Sequence, residues 1–263
     1  MNLIVVLLKN KHLLFELIKN DFKKRYLGNY LGSIWAFIQP IVTVAVYWFV
    51  FTQGFKATPV DNFPFLLWLL CGMVPWFLIN EAVMTSANSI MDNVFLVKKI
   101  VFEIKLLPFV KLGSAILVNS AFFLFMVICF LFYGYKPSWY WLQLIYYYAA
   151  CILLLFGLSL IFSSVIVFVR DISQILAIIM QLLFWLTPIF WNILLIHNFK
   201  LQVIIKANPF YYIINGFRDS LIYNIPFWQR YWLMLYFWLM TFFIIWVGNI
   251  IFNKLRPHFA DVL

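Results

Sequence analysis

Arg25-Tyr26-Leu27-Gly28-Asn29-Tyr30-Leu31-Gly32-Ser33-Ile34-Trp35-Ala36-Phe37-Ile38-Gln39-Pro40 joins a basic, amphipathic segment directly to a long apolar one. Glycine, tryptophan and Pro40 punctuate the junction. A charged helix lying on a membrane surface and turning into the bilayer needs this layout, with cations against anionic headgroups and an uncharged stretch behind them. Upstream, helical spacing over His12–Tyr26 puts Leu14, Phe15, Ile18, Phe22 and Tyr26 on one face. Lys19, Asn20, Lys23 and Lys24 fall on the other. A surface anchor and a functional interface helix both fit this pattern.

The whole chain agrees with that junction. Its 263 residues are 66% hydrophobic and 11% charged, with a mean hydropathy of +0.97, which a soluble domain could not bury. The net charge of +10 does not point to nucleic acid, because the Lys and Arg residues sit beside and between the apolar runs. Cys71, Cys129 and Cys151 all fall in apolar stretches without metal-like spacing and read as small packing residues. Leu3–Leu8 is too short for a signal-peptide core, so the spans themselves are expected to direct insertion.

Six stretches approach the roughly 20 residues a bilayer requires. They lie at Ser33–Phe51, Phe63–Val83, Leu112–Tyr133, Leu142–Val169, Ile172–Trp191 and Tyr231–Phe252. This predicts an all-α integral membrane protein, with residues 1–32 as a surface segment and 33–263 as the transmembrane domain. Lys9, Lys11, Lys19, Lys23, Lys24, Arg25, Lys98, Lys99, Lys105, Lys111, Arg170, Lys254 and Arg256 gather on one side. Lys56, Lys136, Lys200, Lys206, Arg218 and Arg230 mark the other, so both termini are expected in the cytoplasm. Between the last two spans, residues 186–230 stay apolar and aromatic. Pro188 is expected to end or kink a helix, and Asn208-Pro209 reads as an N-cap followed by a first helical residue. Short helices dipping part-way into the outer leaflet suit that composition better than an ordinary loop.

The loop 84–111 contains a predicted short helix over Asp92–Glu103, with Asp92 as its N-cap. Leu96, Val97, Ile100 and Val101 give it an apolar face, open to a partner's groove or to the chain's own helix ends. No G-x-x-x-x-G-K-[ST] pattern occurs, so any nucleotide energy must come from another subunit. The nine acids all fall at or outside span ends, Glu81 being the deepest, which argues against ion coupling. His12, His197 and His258 are dispersed, and no nucleophile–base set suggests an enzyme.

With these elements in place, the chain resembles the permease subunits of type-2 ATP-binding-cassette (ABC) exporters, in the branch that exports O-antigen, capsular polysaccharide or teichoic acid. The likeness lies in the Tyr26–Pro40 junction, Leu96–Lys99 with Leu107-Pro108, and Phe168-Val169-Arg170-Asp171-Ile172. It continues in Leu186-Thr187-Pro188-Ile189, Asn208-Pro209 with Gly216-Phe217-Arg218, and the tail Arg256–Leu263. Glu103 departs from the pattern, since relatives usually carry proline there. The resemblance implies a homodimer in the bacterial cytoplasmic membrane, carrying two copies of a cytoplasmic ATPase subunit that binds ATP and Mg. It implies no cofactor in this chain. It implies ATPase contacts at the amino-terminal helix and at Asp92, Phe95, Leu96, Lys98, Lys99, Ile100 and Phe102, and external re-entrant helices at the pore exit.

A lipid-linked glycan of the undecaprenyl-pyrophosphate type needs cations for its pyrophosphate, with Lys23, Lys24 and Arg25 as candidates. A sliding sugar chain suits aromatic faces, and Tyr47, Trp48, Tyr146, Tyr147, Trp185, Trp191, Tyr211 and Tyr212 are the candidate lining. Interfacial anchoring and ordinary packing explain the same aromatics. Arg170 and Asp171 read as structural, a snorkelling Arg and an Asp capping the fifth span. Pro40, Pro188, Pro209 and Arg218 join them as structural positions. Export of another lipid or a drug-like molecule is the alternative reading, because the architecture alone does not fix the cargo.

Overall fold

The computed structural model describes residues 11–26, 30, 32–56, 63–98 and 103–263. Lys9 and the rest of 1–10, residues 27–29 and 31 of the junction, Asp61, and Lys99, Ile100, Val101 and Phe102 of the loop lie outside the described residues, as does the side chain of Tyr26. The protein is an all-α membrane protein. Among the described residues, five helical stretches are long and apolar enough to cross a bilayer: Trp35–Gly54, Phe65–Ala87, Leu106–Phe132, Trp139–Ile166 and Phe227–His258. A sixth apolar helix, Ile172–Leu186, is shorter.

In chain order the helices are α1 (Lys11–Tyr26), α2 (Trp35–Phe49), α3 (Phe65–Ala87), α4 (Val94–Val97), α5 (Leu106–Phe132) and α6 (Gln143–Ile166). They continue as α7 (Ile172–Leu186), α8 (Phe199–Lys206), α9 (Pro209–Arg218), α10 (Tyr231–Leu255) and α11 (Phe259–Val262). Helix α3 is the hub and packs on α2, α5, α6, α7 and α9. From Phe65 to Ile79 its residues are apolar all round, as a helix enclosed by others must be, and 78% of its most apolar window is buried. The first span, with 11% buried, lies at the rim. Pro75 lies inside α3 and removes a backbone donor there. The neighbouring Val74 carbonyl accepts from Asn119 Nδ2 of α5 at 2.9 Å, and the Asn119 Oδ1 accepts from Tyr148 of α6 at 3.2 Å.

The third span begins at Leu106, six residues before the sequence-based boundary at Leu112. Pro108 is tolerated because it sits in the first helical turn, and Lys111 is carried into the helix because two carboxylates meet it there. Helix α7 stops at Leu186, short of the expected Trp191. Thr187 is extended (ψ 134°), the conformation forced on a residue that precedes proline. At 15 residues α7 is about 22 Å long, less than the roughly 30 Å of hydrocarbon.

Helices α6 and α10 approach almost backbone to backbone. A Cβ on Gly248 would lie 2.8 Å from the Gly157 carbonyl oxygen, and one on Gly157 would lie 2.9 Å from the Ile245 nitrogen. Between membrane helices, such small residues take the place of a hydrophobic driving force by allowing dispersion contact. Gly248→Leu is therefore expected to destabilise the detergent-solubilised protein by about 1–3 kcal/mol. A thermal-melting measurement checks this, with Gly54→Ala as a control that should melt unchanged, since a Cβ there meets nothing within 4 Å.

Candidate functional site

One end of the bundle is tied by alternating charges. Arg25 of α1 pairs with Glu81 of α3 and with Asp21 one turn back (3.5 Å). Asp21 also meets Lys111 of α5 at 2.9 Å, and Lys111 reaches Asp92 of the loop at 3.4 Å. Glu81, Arg25, Asp21, Lys111 and Asp92 thus connect three helices and the loop. Ile18 adds an apolar lock, because a Cβ at Gly113 of α5 would collide with it.

This arrangement corrects two sequence-based expectations. Arg25 is held by two carboxylates, so of the three candidate phosphate cations only Lys23 and Lys24 remain exposed. Asp92 caps no helix: α4 is only Val94–Val97, Asn93 precedes it without a side-chain capping bond, and Asp92 instead faces Lys111. Phe15, on the apolar face of α1, is 64% exposed, as a residue facing a membrane surface would be. The packed edge of α1 runs through Leu14, Leu17, Ile18, Asp21, Phe22 and Arg25, because α1 leans on α5.

The loop divides its apolar residues between both expected uses. Val97 is buried in a cluster with Ile90, Leu107, Phe109, Leu160, Val167, Phe252 and Phe259, and Leu96 packs against that cluster. Phe95 points outward, 72% exposed, and Lys98 is exposed beside it. Leu96, Asp92, Lys24 and Lys111 line a cavity of about 300 Å³ between α1 and the loop. Glu103, the departure from the resembled pattern, pairs with Arg256 of the tail at 3.2 Å. Next to it Lys105 is buried and donates to Asn249 Oδ1 at 3.4 Å. Burial pushes the Lys105 ammonium below its usual range; nearby Arg256 adds to this and Glu103 opposes it.

At the other end Arg218 is 4% exposed and donates to the Pro188 carbonyl (2.6 Å) and the Ile189 carbonyl (2.9 Å). Its guanidinium lies 3.4 Å from the centre of the Trp68 ring. Asp219 is bound by Arg230 through two contacts, 2.6 and 3.0 Å, and accepts from Asn215 at 2.8 Å. Asn208 Oδ1 accepts from the Phe210 amide at 3.0 Å, with Pro209 at the first helical position, and Asn208 Nδ2 donates to the Thr187 hydroxyl at 2.8 Å. At the start of α7, Asp171 makes no side-chain capping bond, contrary to expectation. Both Arg170 and Asp171 are exposed, so their side chains are free to face headgroups and water. Pro40 lies inside α2 and borders a cavity beside it.

The eight candidate aromatics separate into two groups. Tyr147, Tyr211 and Tyr212 are buried within the subunit, and the Tyr147 ring fills the space where a Cβ on Gly216 would sit. In this conformation they pack the chain and offer no surface to a sliding polymer, which departs from the lining role expected of them. Tyr146 is half-buried and joins their hydroxyl network, 3.0 Å from the Tyr212 hydroxyl and accepting from Trp238 at 2.8 Å. Tyr47, Trp48, Trp185 and Trp191 lie on α2, on α7 and just beyond, with Trp48 and Trp185 exposed. Phe184 and Phe190, which the sequence did not single out, contact Tyr47 at ring distances of 6.0 and 5.0 Å. Gln39 and Asn80, also passed over, are exposed in the same region; their only sequence signal was polarity inside an apolar span.

A surface of membrane length at the rim, a charge-tied loop with an outward aromatic, and a folded elbow between α7 and α10 describe a multi-span membrane protein. Residues 12–222 match the ABC-2 type transporter family, and the chain belongs to it. It is 30% identical over 256 residues to an O-antigen export system permease protein RfbA of Klebsiella pneumoniae, covering 95% of both chains. It is 26% identical over 257 residues to the protein of the same name from Myxococcus xanthus, covering 95% of this chain and 94% of that one.

Two substitutions test this architecture. Lys111→Leu leaves Asp21 and Asp92 without their shared cation and should cost about 1.5–3 kcal/mol, read as a lower melting temperature, while Lys111→Arg retains most of the stability. Arg218→Met strips the donors from two buried carbonyls and should cost about 1–3 kcal/mol per unsatisfied group. The loss should appear as protease sensitivity at the α7–α8 connection before the rest of the protein unfolds.

Proposed function

We propose that the chain is the transmembrane subunit of an ATP-driven exporter that carries a lipid-linked polysaccharide such as O-antigen, of the undecaprenyl-pyrophosphate type, across the cytoplasmic membrane. The observation that carries this reading is the end-to-end similarity to permeases named for O-antigen export. In this reading a homodimer of six-span subunits binds two ATPase subunits, and both termini are cytoplasmic. Ile172–Leu186 serves as the fifth span, completed by the elbow after Pro188.

The ATPase subunits hydrolyse ATP with Mg. Phe95 and Lys98, presented by the charge-tied loop, contact them. The glycan's pyrophosphate approaches Lys23 and Lys24, the exposed cations of α1, while Arg25 holds α1 to α3. The lipid tail stays in the bilayer. The sugar chain runs along half-buried Tyr47 and the exposed Trp48 and Trp185 of α2 and α7, toward Trp191, where contacts to ring faces are individually weak and allow sliding.

Deleting the gene should abolish the surface polysaccharide while its lipid-linked form accumulates inside the cell, and expression of this chain should restore export. Phe95→Asp should leave the subunit in the membrane with unchanged melting. It should abolish co-purification of the ATPase subunit and cut export by more than tenfold, since one buried aromatic contact at such an interface is worth about 2 kcal/mol or more. Normal surface polysaccharide in the deletion strain would remove the cargo assignment.

A further inference from the structure

Two cavities flank the first span and meet behind it. The larger, about 420 Å³, lies between α2, α3 and α5, where Gln39, Thr43, Asn80, Glu81 and Asn119 supply its polar wall and Trp35 part of its apolar one. The smaller, about 240 Å³, lies between α2, α3 and α7 and reaches Tyr47 and Gln181. Thr43, Phe77 and Asn80 border both. Asn80 stands seven residues before the end of α3 at Ala87. That places it about 10 Å along the axis, well inside the hydrocarbon depth.

Among the described residues, the side-chain amides of Asn80 and Gln39 make no hydrogen bond. A bare carboxamide facing lipid is unfavourable, and polar side chains at such depth mark a water-filled or ligand-filled path. The cavity's charge narrows the ligand class. Glu81, its one carboxylate, is already paired with Arg25, and Arg25 is shared with Asp21, so neither a cation nor a phosphate finds a free counter-charge. Two amides, each able to donate and accept, a threonine hydroxyl and an indole face suit a neutral, hydroxyl-rich molecule. The volume is within the roughly 300–1,000 Å³ of small-ligand sites.

We propose that this cavity is a glycosyl-binding subsite behind the first span, in which Gln39 and Asn80 hydrogen-bond the hydroxyls of a sugar unit of the exported chain. The proposal rests on the glycan-export reading and deepens it. Its position beside the Arg25–Glu81 pair puts the subsite at the end of the charge chain that starts at the ATPase-facing loop.

The experiment uses the permease with its ATPase subunit in nanodiscs, carrying Val118→Cys, an apolar lining position that leaves both amides in place, with the unsubstituted protein as the labelling background. A membrane-impermeant maleimide should label Cys at this position, and delipidated surface polysaccharide from the same cells, raised to about nine times its Kd, should slow labelling by about tenfold because only the unoccupied fraction reacts. In cells, Asn80→Leu and Gln39→Leu should lower export several-fold while ATPase co-purification and melting temperature stay unchanged. No labelling would mean that lipid fills the cavity, and labelling that polysaccharide does not slow would mean a water pocket only. Equal slowing by glycerophosphoethanolamine alone would make it a headgroup site. Each of these results overturns the proposal. Loss of the cargo reading is separate, because it appears as failure of the unsubstituted gene to restore surface polysaccharide.

Discussion

Hydrocarbon offers a backbone carbonyl no hydrogen-bond partner, so a helix can be broken at membrane depth only where protein supplies one. Thr187-Pro188 is such a break, and Arg218 answers it. Its two terminal nitrogens cap the Pro188 and Ile189 carbonyls, while Asn208 takes the Thr187 hydroxyl. A lysine could not do the same from one position, since only a planar fork presents two donors with fixed separation. The guanidinium lies over Trp68, which shields a buried cation that has no carboxylate of its own in contact. Asp219, next in sequence, turns to Arg230 and Asn215 instead. The carbonyls freed at the elbow between α7 and α10 are therefore paired, although Arg218 Nε and Trp68 Nε1 stay buried without a hydrogen bond, and α9 packs into the bundle against α3 and α6.

The opposite end solves a different problem with similar means. The proposed coupling role needs a short loop helix that does not hang from the bundle on flexible chain. Five alternating charges and the burial of Val97 bind it to α1, α3 and α5, and the Glu103–Arg256 pair ties the following turn to the tail. Lys111 and Asp21 are largely shielded from solvent, so their pairing is less screened by salt than a surface pair would be. In the proposed coupling, this chain of ion pairs links Asp92 to Glu81, on the wall of the polar cavity.

What was legible in the sequence was what depends on neighbours along the chain. Apolar run length marked the spans, proline marked the break after Leu186, and Asn208-Pro209 marked the start of α9. What escaped depended on residues far apart in sequence. Arg25 and Glu81 are 56 positions apart, and no local pattern says that a cation of α1 is claimed by α3 rather than by a phosphate. Asp92 looked like a cap because a capping residue and an ion-pairing residue have the same identity. Tyr147, Tyr211 and Tyr212 looked like lining because a tyrosine in an apolar run is compatible with both a wet surface and a satisfied interior. Their burial separates the two, and for Tyr212 so does the hydroxyl network with Tyr146 and Trp238.

The proposed second copy has a place to sit. On α7, Gln174 and Gln181 are exposed seven residues apart, which at 3.6 residues per turn sets them on one stripe with Ile178 and, a turn further, Trp185. On α2, Gln39, Val42, Val46 and Trp48 are exposed, and only Ala36 and Val44 are buried. Two amides at membrane depth on one helix, beside an aromatic, are a poor surface for acyl chains. They are a good one for a path shared with a symmetric partner, where each amide meets either its mate or a sugar hydroxyl. In the proposed dimer the sparse burial of α2 and α7 is a consequence of the function, because a wall that must open cannot also be the tightly packed core.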